Sequence, residues 1–595
     1  MRPRARGSRF APVDKAKDVQ GTLKRLWGYF REYRYQLLGL AGLVLGGSAV
    51  GLLAPYLIGR AVDTIPVLQD GPKPLAIVTV GLLAAYVVEA AARFLETYLM
   101  AGVAQHIVLQ LRNQLFAKLQ ELPLAYFDRH PHGEIMSRAV NDLDNVSTTV
   151  ASSLTHLMSS VLVIGGSLVM MLMLSPALTA ASLITVPLVY FVGKVITAKT
   201  RQLYRTQQAA LGRLNGYIEE MVSGVLAVKA FNQEDRVIDS FAVINADLRE
   251  VGVKAEIWAG FLMPLMNVIS NLGFTAVAAV GGVLALRGTV TVGIIASFLG
   301  YSRQFVRPLN EVASIFNTLQ SAVASAERVF EIMDEAEEPE DAPGSVAMCG
   351  CKGEITFEGV SFAYREGDDV LCDVSFHVPT GTSLAIVGAT GSGKTTIVNL
   401  LTRYYDVRKG RILIDGIDVR DYTRASLRSN LGVVLQDTYL FAGTVEHNIR
   451  YGRLDASFEE VVRAAQLAKA DGFIRRLPQG YQTELAESGS SLSQGQRQLI
   501  AIARAVLADP AILILDEATS SVDTRTEALI QEALAELMRG RTSIIVAHRL
   551  STIRNADQIL VLDHGRVVEI GSHQELLAKR GLYYRLYTSQ MSETA

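Results

Sequence analysis

The sequence has little charge, few cysteines and no surplus of basic residues. Charged residues make up 19% of the 595-residue chain and apolar residues 49%, a balance too apolar for an ordinary soluble enzyme. The formal net charge of −2 gives no overall positive field, so we expect no nucleic-acid partner. The three cysteines, Cys349, Cys351 and Cys372, form no metal-like C-x-x-C pair, and the sequence favours reduced thiols over a labile redox pair of Cys349 and Cys351. The N-terminus lacks the short apolar core and small-residue cleavage site of a signal peptide.

Long apolar stretches dominate the first part of the chain. A bilayer core of about 30 Å is crossed by about 20 helical residues, and a chain of this length is expected to hold at least two domains. Six stretches reach or approach that length and predict a membrane domain with six transmembrane helices. They are Leu37–Ile58, Leu75–Phe94, Val150–Leu174, Leu178–Ile196, Trp258–Leu286 and Val290–Phe305.

Polar residues inside these stretches are candidate substrate contacts. Glu89 and Arg93 are spaced i,i+4 and predict an ion pair inside the bundle, although intramembrane charges also mark substrate sites. Asn267, Ser270 and Asn271 are equally compatible with helix–helix hydrogen bonds and with the lining of a cavity.

The distribution of Lys and Arg predicts the orientation. Ten of these residues precede the first span, between Arg2 and Arg34, so the N-terminus should be cytoplasmic. With six spans, the C-terminal part should be cytoplasmic too. The inner connections, from about Gln105 to Asn145 and from Arg201 to Lys254, have apolar residues at helical spacing, which predicts antiparallel helical arms.

A composition change separates the membrane part from a second domain. Residues 335–344 are acidic, contain Pro and Gly, and have the composition of a disordered linker. Alternating apolar runs then predict strands. The expected organisation is a basic cytoplasmic segment (1–36), a membrane domain (37–330), a linker (331–350) and an α/β nucleotide-binding domain (351–595).

A phosphate loop lies in this second domain. The run between the strand-like Ser383–Val387 and a helix-like segment matches G-x-x-x-x-G-K-[ST]. Glycines there let backbone N–H groups converge on phosphate oxygens at a helix N-terminus. The motif predicts ATP as ligand, with Lys394 on the β- and γ-phosphates and the Thr395 hydroxyl on Mg²⁺. The loop residues expected to contact nucleotide are Gly388, Ala389, Thr390, Gly391, Ser392, Gly393, Lys394, Thr395 and Thr396.

Two later motifs complete the expected site. A buried-strand run, Ala511–Leu515, ends in Asp516 and Glu517. A carboxylate at a strand end suits Mg²⁺, and the adjacent one can act as general base toward water. The run Leu492–Gln496 opens a helix, where Ser493, Gly495 and the helix N-terminus offer donors to an anion.

With these motifs at these spacings, nearly the whole chain resembles the ATP-binding cassette (ABC) half-exporters, which fuse one membrane domain to one nucleotide-binding domain. The resemblance implies that Tyr364 stacks on adenine, Gln436 senses Mg²⁺, Glu517 is the catalytic base and His548 the γ-phosphate switch. It also implies that Lys394 takes part in catalysis and that Asp523 lies in a loop between subunits. The implied signature motif includes Ser493, Gly495 and Gln496. The implied metal-site residues are Thr395, Gln436 and Asp516.

The resemblance extends to the membrane part. Phe127-Asp128, Gly133-Glu134, Arg138 and Asp142 are similar to the first cytoplasmic loop of these exporters, and Gly224, Lys229, Phe231 and Glu234 to the second. In the family, each loop turns through a short coupling helix that docks on a nucleotide-binding domain.

One residue departs from the family pattern. The third signature residue, usually Gly, is Gln494. The signature completes the partner subunit's ATP site, so this change favours a heterodimer in which the present chain supplies the competent phosphate loop. A homodimer with a harmless variant stays possible.

The resemblance therefore implies an ATP-hydrolysing exporter of the plasma (inner) membrane, moving drugs, lipids or peptides by alternating access. One alternative is a nucleotide-gated channel or regulator. Another is a soluble cassette protein, which the six predicted spans disfavour. Import is disfavoured because importers usually keep the two domains on separate chains.

Overall fold

The computed structural model describes residues 17–65, 73–365, 367–435, 438–486, 489, 491–516, 524–546 and 550–594. It divides into two compact units. The first is Met1–Leu122 with His130–Glu337, and the second is Pro123–Arg129 with Glu338–Ala595.

The first unit is helical. Its helices are α1 (Val19–Arg31), α2 (Arg34–Thr64), α3 (Lys73–Glu121), α5 (His132–Ser137), α6 (Leu143–Leu174), α7 (Pro176–Leu183), α8 (Thr185–Ser223), α9 (Val225–Ala230), α10 (Glu234–Gly260), α11 (Leu262–Leu286) and α12 (Val292–Met333), with a π-helical turn at Arg138–Asp142. Helix α4 (Leu124–Arg129) groups with the second unit.

Among the described residues, five helical segments are long and apolar enough to cross a membrane. They are Arg34–Thr64, Lys73–Glu121, Thr155–Leu174, Pro176–Ser223 and Glu234–Leu286. They contain the first, second, fourth and fifth predicted spans, and Thr155–Leu174 covers all but the first five residues of the third, Val150–Leu174. The sixth, Val290–Phe305, overlaps the start of α12.

Helix α12 is anchored at its first turn by α2. The Asp63 carboxylate accepts from the Gly293 backbone N–H at 2.7 Å and from the Thr291 hydroxyl at 2.6 Å, which satisfies donors at the helix N-terminus. The two helices cross closely, since a Cβ at Gly59 would lie 2.4 Å from the Gly293 carbonyl oxygen. Glycine is required at this crossing.

The expected intramembrane ion pair is present. Arg93 donates to the Glu89 carboxylate at 2.8 Å within α3. Glu89 lies against α2, because a Cβ at Gly51 would be 3.2 Å from its carboxylate. The pair therefore neutralises a charge at the contact between α2 and α3.

The second predicted hairpin is confirmed as α8 and α10. Arg213 and Asp247 join the two arms at 2.5 Å. Gly224 ends α8, α9 forms the tip, and Asn232 takes a left-handed φ of 49° before α10 begins. The hairpin leaves Phe231 75% exposed.

The second unit is α/β. Its strands are β1 (Ile355–Ala363), β2 (Asp369–Val378), β3 (Ser383–Val387), β4 (Lys409–Ile414), β5 (Ile417–Asp418), β6 (Leu431–Val434), β7 (Gly443–Thr444), β8 (Glu484–Leu485), β9 (Ile512–Asp516), β10 (Thr542–Val546), β11 (Gln558–Asp563) and β12 (Arg566–Gly571). Its other helices are α13 (Lys394–Leu401), α14 (Arg424–Ser429), α15 (Val445–Arg450), α16 (Phe458–Leu467), α17 (Asp471–Ile474), α18 (Gln494–Ala508), α19 (Thr524–Met538), α20 (Leu550–Asn555), α21 (His573–Lys579) and α22 (Leu582–Thr594), with a 3₁₀ turn at Gly480–Gln482.

The main sheet has the order β12-β11-β3-β10-β9-β6 and is parallel except for β12. Strands β3, β9, β10 and β11 are almost wholly buried apolar runs, as parallel strands covered on both faces require. The second sheet, β2-β1-β4-β5, is antiparallel.

The predicted linker is more ordered than its composition suggested. Glu338 pairs with Arg428 at 2.5 Å, Asp341 pairs with Arg424 at 3.2 Å, and Val346 forms a parallel bridge with Tyr422. Disorder was the wrong inference for this part because its acidic residues meet arginines of α14, nearly 90 residues away in sequence. The three cysteines are free, as expected.

Candidate functional site: a phosphate loop at the edge of a parallel sheet

Sheet register brings the predicted nucleotide motifs to one edge. Val546 of β10 pairs with Ile386 of β3 on one side and with Asp516 of β9 on the other. Val434 of β6 pairs with Leu515 of β9. Because these strands are parallel, their carboxyl ends meet at the same edge, where α/β sheets bind ligands.

Glycine is required at three positions of the phosphate loop. A Cβ at Gly388 would lie 2.2 Å from the Leu562 carbonyl oxygen. Gly391 and Gly393 have φ values of 82° and 103°, a left-handed conformation that favours glycine. The backbone can therefore curl around a ligand as the motif predicts.

Lys394 is the first residue of α13 and is 7% exposed. Its Nζ donates to the carbonyl oxygens of Gly388 at 2.9 Å and Ala389 at 3.0 Å. Burial lowers the pKa of this ammonium, and the charge of Asp516 opposes that effect. The side chain thus folds over the loop that is predicted to hold phosphate.

Two hydroxyls of the loop differ in their surroundings. Ser392 is 4% exposed, and its Oγ has no hydrogen-bond partner among the described residues. A buried polar atom in that state is costly, and a phosphate oxygen or a water would satisfy it. Thr395, three residues later, is exposed and free to present its hydroxyl outward.

Thr396 and Tyr364 contact each other. The two hydroxyls lie 3.2 Å apart, and the Asn399 side chain donates to the Tyr364 hydroxyl at 3.1 Å. Tyr364 is half-buried and follows β1, one strand of the smaller sheet. Thr396 is thus tied to the tyrosine expected on adenine rather than turned toward the phosphates.

The metal-side residues are described only in part. Asp516 is the last residue of β9, close enough to Lys394 to affect its pKa. An exposed hydroxyl at Thr395 and this carboxylate are oxygen donors of the type Mg²⁺ prefers. Gln436, Glu517, Asp523 and His548 lie outside the described residues. In sequence, Glu517 directly follows β9 and His548 comes two residues after β10.

The signature segment begins α18 with a reciprocal cap. Ser493 Oγ accepts from the Gln496 backbone N–H at 3.3 Å, and Gln496 Oε1 accepts from the Ser493 N–H at 3.0 Å. This capping box satisfies two donors of the helix start. Gly495 is buried and Gln494, the unusual residue, is half-buried at the first helical position.

Sequence reasoning missed Tyr405. Its hydroxyl donates to the Asp128 carboxylate at 2.5 Å, and its ring packs edge-on against Tyr364 with centroids 5.0 Å apart. Asp128 lies in α4, the short helix that groups with the second unit. Tyr405 lies in a loop between α13 and β4 with no motif of its own, so only the fold could reveal this link.

The family models match both parts of the chain. Residues 37–309 match the ABC transporter transmembrane region, and residues 371–520 match the ABC transporter domain.

The chain belongs to the ABC transporters.

Relatives of this family cover nearly all of it. It is 49% identical over 579 residues to the uncharacterized ABC transporter ATP-binding protein YfiC of Bacillus subtilis, covering 97% of this chain and 96% of the relative. It is 40% identical over 626 residues to the fatty acid ABC transporter ATP-binding/permease protein of Mycobacterium bovis, covering 98% of each. A solved structure of a bacterial Atm1-family ABC exporter with ATP bound matches with a TM-score of 0.74 and 34% identity, over 94% of this chain and 99% of that one.

The ABC exporter is therefore a multi-pass membrane protein with a helical transmembrane domain fused to an ATP-binding ABC ATPase domain. Exporters of this kind function as dimers.

Proposed function

We propose that this ABC exporter is one half of a dimer that uses ATP hydrolysis to move hydrophobic or amphipathic molecules out of the cytoplasm or the inner leaflet. One observation carries the proposal: among the described residues, a phosphate loop with a buried lysine and an unsatisfied serine hydroxyl shares its chain with five membrane-length helical segments. The relative named as a fatty acid transporter, 40% identical, supports an amphipathic substrate.

The chemistry assigned to each residue follows from its place at the sheet edge. When ATP binds, the Lys394 ammonium would exchange its hydrogen bonds to the Gly388 and Ala389 carbonyl oxygens for hydrogen bonds to phosphate oxygens. A phosphate oxygen would also accept a hydrogen bond from the Ser392 hydroxyl. Thr395, Asp516 and Gln436 would hold Mg²⁺, which would neutralise charge on the phosphates. Glu517 acts as general base toward water, and His548 contacts the γ-phosphate.

Coupling to the membrane domain has a candidate route. Tyr364, expected on adenine, touches Tyr405, and Tyr405 holds Asp128. Asp128 belongs to the segment that resembles the first coupling loop. Movement of the adenine-side tyrosine on ATP binding would therefore reach the loop that leads into the membrane helices.

Gln494 supports a heterodimer. It occupies the start of α18, where a dimer partner's nucleotide would meet the signature. A side chain bulkier than glycine there would crowd the γ-phosphate of the partner's site. The present chain retains Glu517 and His548, so we propose that it supplies the hydrolytically competent phosphate loop. The excess of Lys and Arg before the first span supports the plasma (inner) membrane with both termini cytoplasmic.

The test is ATP hydrolysis and transport by the purified transporter in nanodiscs and in sealed vesicles, with its partner subunit if one is required. Hydrolysis that an amphipathic substrate stimulates, together with ATP-dependent movement of that substrate, supports an exporter. ATP-dependent passive flux without steady-state hydrolysis would instead support the alternative of a gated channel.

A further inference from the structure

An arginine lies in the part of α12 that overlaps the sixth predicted span. Arg303 is exposed within the first unit, and among the described residues no carboxylate lies within ion-pair distance of it. Its guanidinium carbon sits 4.8 Å from the centre of the Phe274 ring, on α11. Arg303 is 11 residues after the start of α12, about 16 Å along the helix, and lies two residues before the end of the sixth predicted span, Val290–Phe305.

Two asparagines lie on the same face of α11 as Phe274. Asn267 and Asn271 are exposed, are spaced i,i+4, and lie on the turns that precede Phe274. Leu272 and Val268, next to them, are 55% and 53% exposed. Guanidinium and amide donors thus adjoin apolar side chains in one region of the domain.

These polar groups require an aqueous or protein environment. A charged side chain that faces hydrocarbon is costly, and charged residues within membrane spans normally face a bundle interior or a water-filled cavity. The opposite side of α12 is already packed, since Tyr301 is fully buried and donates to the Leu52 carbonyl oxygen at 2.6 Å. Arg303 is therefore on the side of α12 that remains available to a transport pathway.

The charge balance favours an anion. Glu89 is the single acidic residue in the six predicted spans, and Arg93 already holds it at 2.8 Å. In the part of the chain that the structure describes, the Arg303 guanidinium meets the Phe274 ring and no carboxylate. Guanidinium binds carboxylate and phosphate through paired hydrogen bonds, and a nearby amide adds a further donor.

We infer that Arg303, Phe274 and Asn271 form a binding site for the anionic head group of an amphipathic substrate, with the acyl chain on the neighbouring apolar side chains. This inference rests on the proposed export function and narrows its substrate class to molecules with a carboxylate or phosphate head group.

The experiment compares three single-chain amphiphiles in nanodiscs. Oleate carries a carboxylate, oleoyl lysophosphatidate carries a phosphate, and monoolein is uncharged. The readout is the concentration of each that gives half of its maximal effect on ATP hydrolysis. Arg303→Gln should raise this value for the anions by about tenfold or more, because loss of one partner of a desolvated charge pair is costly. The value for monoolein should stay the same.

Matched variants separate binding from folding. Arg303→Lys keeps the charge without the paired donors and should give an intermediate value, while Asn271→Leu should weaken anion binding with the arginine intact. Arg249→Gln removes an exposed arginine of the α10 arm and should change nothing. An effect on oleate alone assigns a carboxylate site, and an effect on lysophosphatidate alone assigns a phosphate site.

The inference would be overturned if, for each anion, the half-effect concentration were the same in Arg303→Gln as in the wild type. It would also be overturned if neither anion affected ATP hydrolysis by the wild type. In both cases a response to monoolein would leave the export function standing. Failure of all three amphiphiles to affect hydrolysis or to be transported would count against the proposed function itself.

Discussion

The Tyr405 hydroxyl donates a 2.5 Å hydrogen bond to the Asp128 carboxylate. This bond joins the nucleotide-binding domain to a segment that is 277 residues away in sequence and precedes the second arm of the first hairpin. The same tyrosine ring packs against Tyr364, 5.0 Å between centroids. Burial and the Asp128 carboxylate both raise the pKa of Tyr405, so the hydroxyl keeps its proton and remains a donor at physiological pH.

Tyr405→Phe should therefore weaken coupling. It removes one hydrogen bond, worth about 0.5–1.5 kcal/mol, and keeps the ring against Tyr364. We expect nearly normal basal ATP hydrolysis and a reduced stimulation by substrate. Tyr404→Phe is the control. It also removes a tyrosine hydroxyl, but the Tyr404 ring contacts the Arg428 guanidinium through its face, and phenylalanine keeps that contact. Equal stimulation in both variants would show that the Asp128 bond carries no signal.

Ser392→Ala should separate folding from nucleotide binding. The Ser392 hydroxyl is buried and has no hydrogen-bond partner within the described ranges, so its removal should leave the thermal midpoint without nucleotide unchanged or slightly higher. The upward shift of that midpoint with ATP should become smaller.

Ser375→Ala is the control for that experiment, since it should change stability and leave nucleotide binding unchanged. The Ser375 hydroxyl accepts from the Gly359 backbone N–H at 2.9 Å, away from the loop. Its loss should lower the midpoint without nucleotide and keep the ATP shift. An unchanged ATP shift in Ser392→Ala would remove this hydroxyl from the nucleotide site.

Phe231→Ala should reduce substrate-stimulated hydrolysis more than basal hydrolysis. The side chain is 75% exposed at the tip of the α8–α10 hairpin, so its truncation costs little stability in this unit. Val243→Ala, on an arm of the same hairpin and 72% exposed, should be neutral. A parallel loss of basal and stimulated rates in a well-folded Phe231→Ala protein would argue against a coupling role.

Gln494→Gly should report the composition of the dimer. In a heterodimer, this signature faces the partner's slow site, and turnover should change only modestly. In a homodimer, it faces both hydrolytic sites, and turnover should rise clearly. A folded homodimer from expression of this chain alone, with two equally fast sites in single-turnover assays, would contradict the heterodimer.

Much of this architecture could be predicted from sequence. The phosphate loop follows a buried strand and begins a helix as predicted, because the motif at Gly388–Thr395 is typical of a loop between a strand and a helix. The arms of the α8–α10 hairpin were predictable because apolar spacing between Arg201 and Lys254 is regular and that stretch contains no proline. The hydrogen bond between Arg93 and Glu89 followed from their i,i+4 spacing.

Other features depend on contacts that are distant in sequence. Composition suggested a disordered linker, yet Glu338 and Asp341 meet arginines of α14. The roles of Tyr405 and Arg303 likewise depend on which elements pack together, since neither lies in a motif. Pairings of this kind leave no local pattern from which they could be read.

The central claim is that ATP hydrolysis at this loop drives movement of an amphipathic molecule, and Glu517→Gln tests it most directly. The measurement is ATP-dependent transport of a fluorescent fatty acid into inside-out vesicles, alongside ATP binding and hydrolysis by the same preparation. We expect hydrolysis to fall by about 10²–10⁴-fold, as removal of a general base typically gives, with ATP still bound through Lys394 and with transport abolished. Wild-type hydrolysis in the variant, or undiminished transport without hydrolysis, would contradict the account.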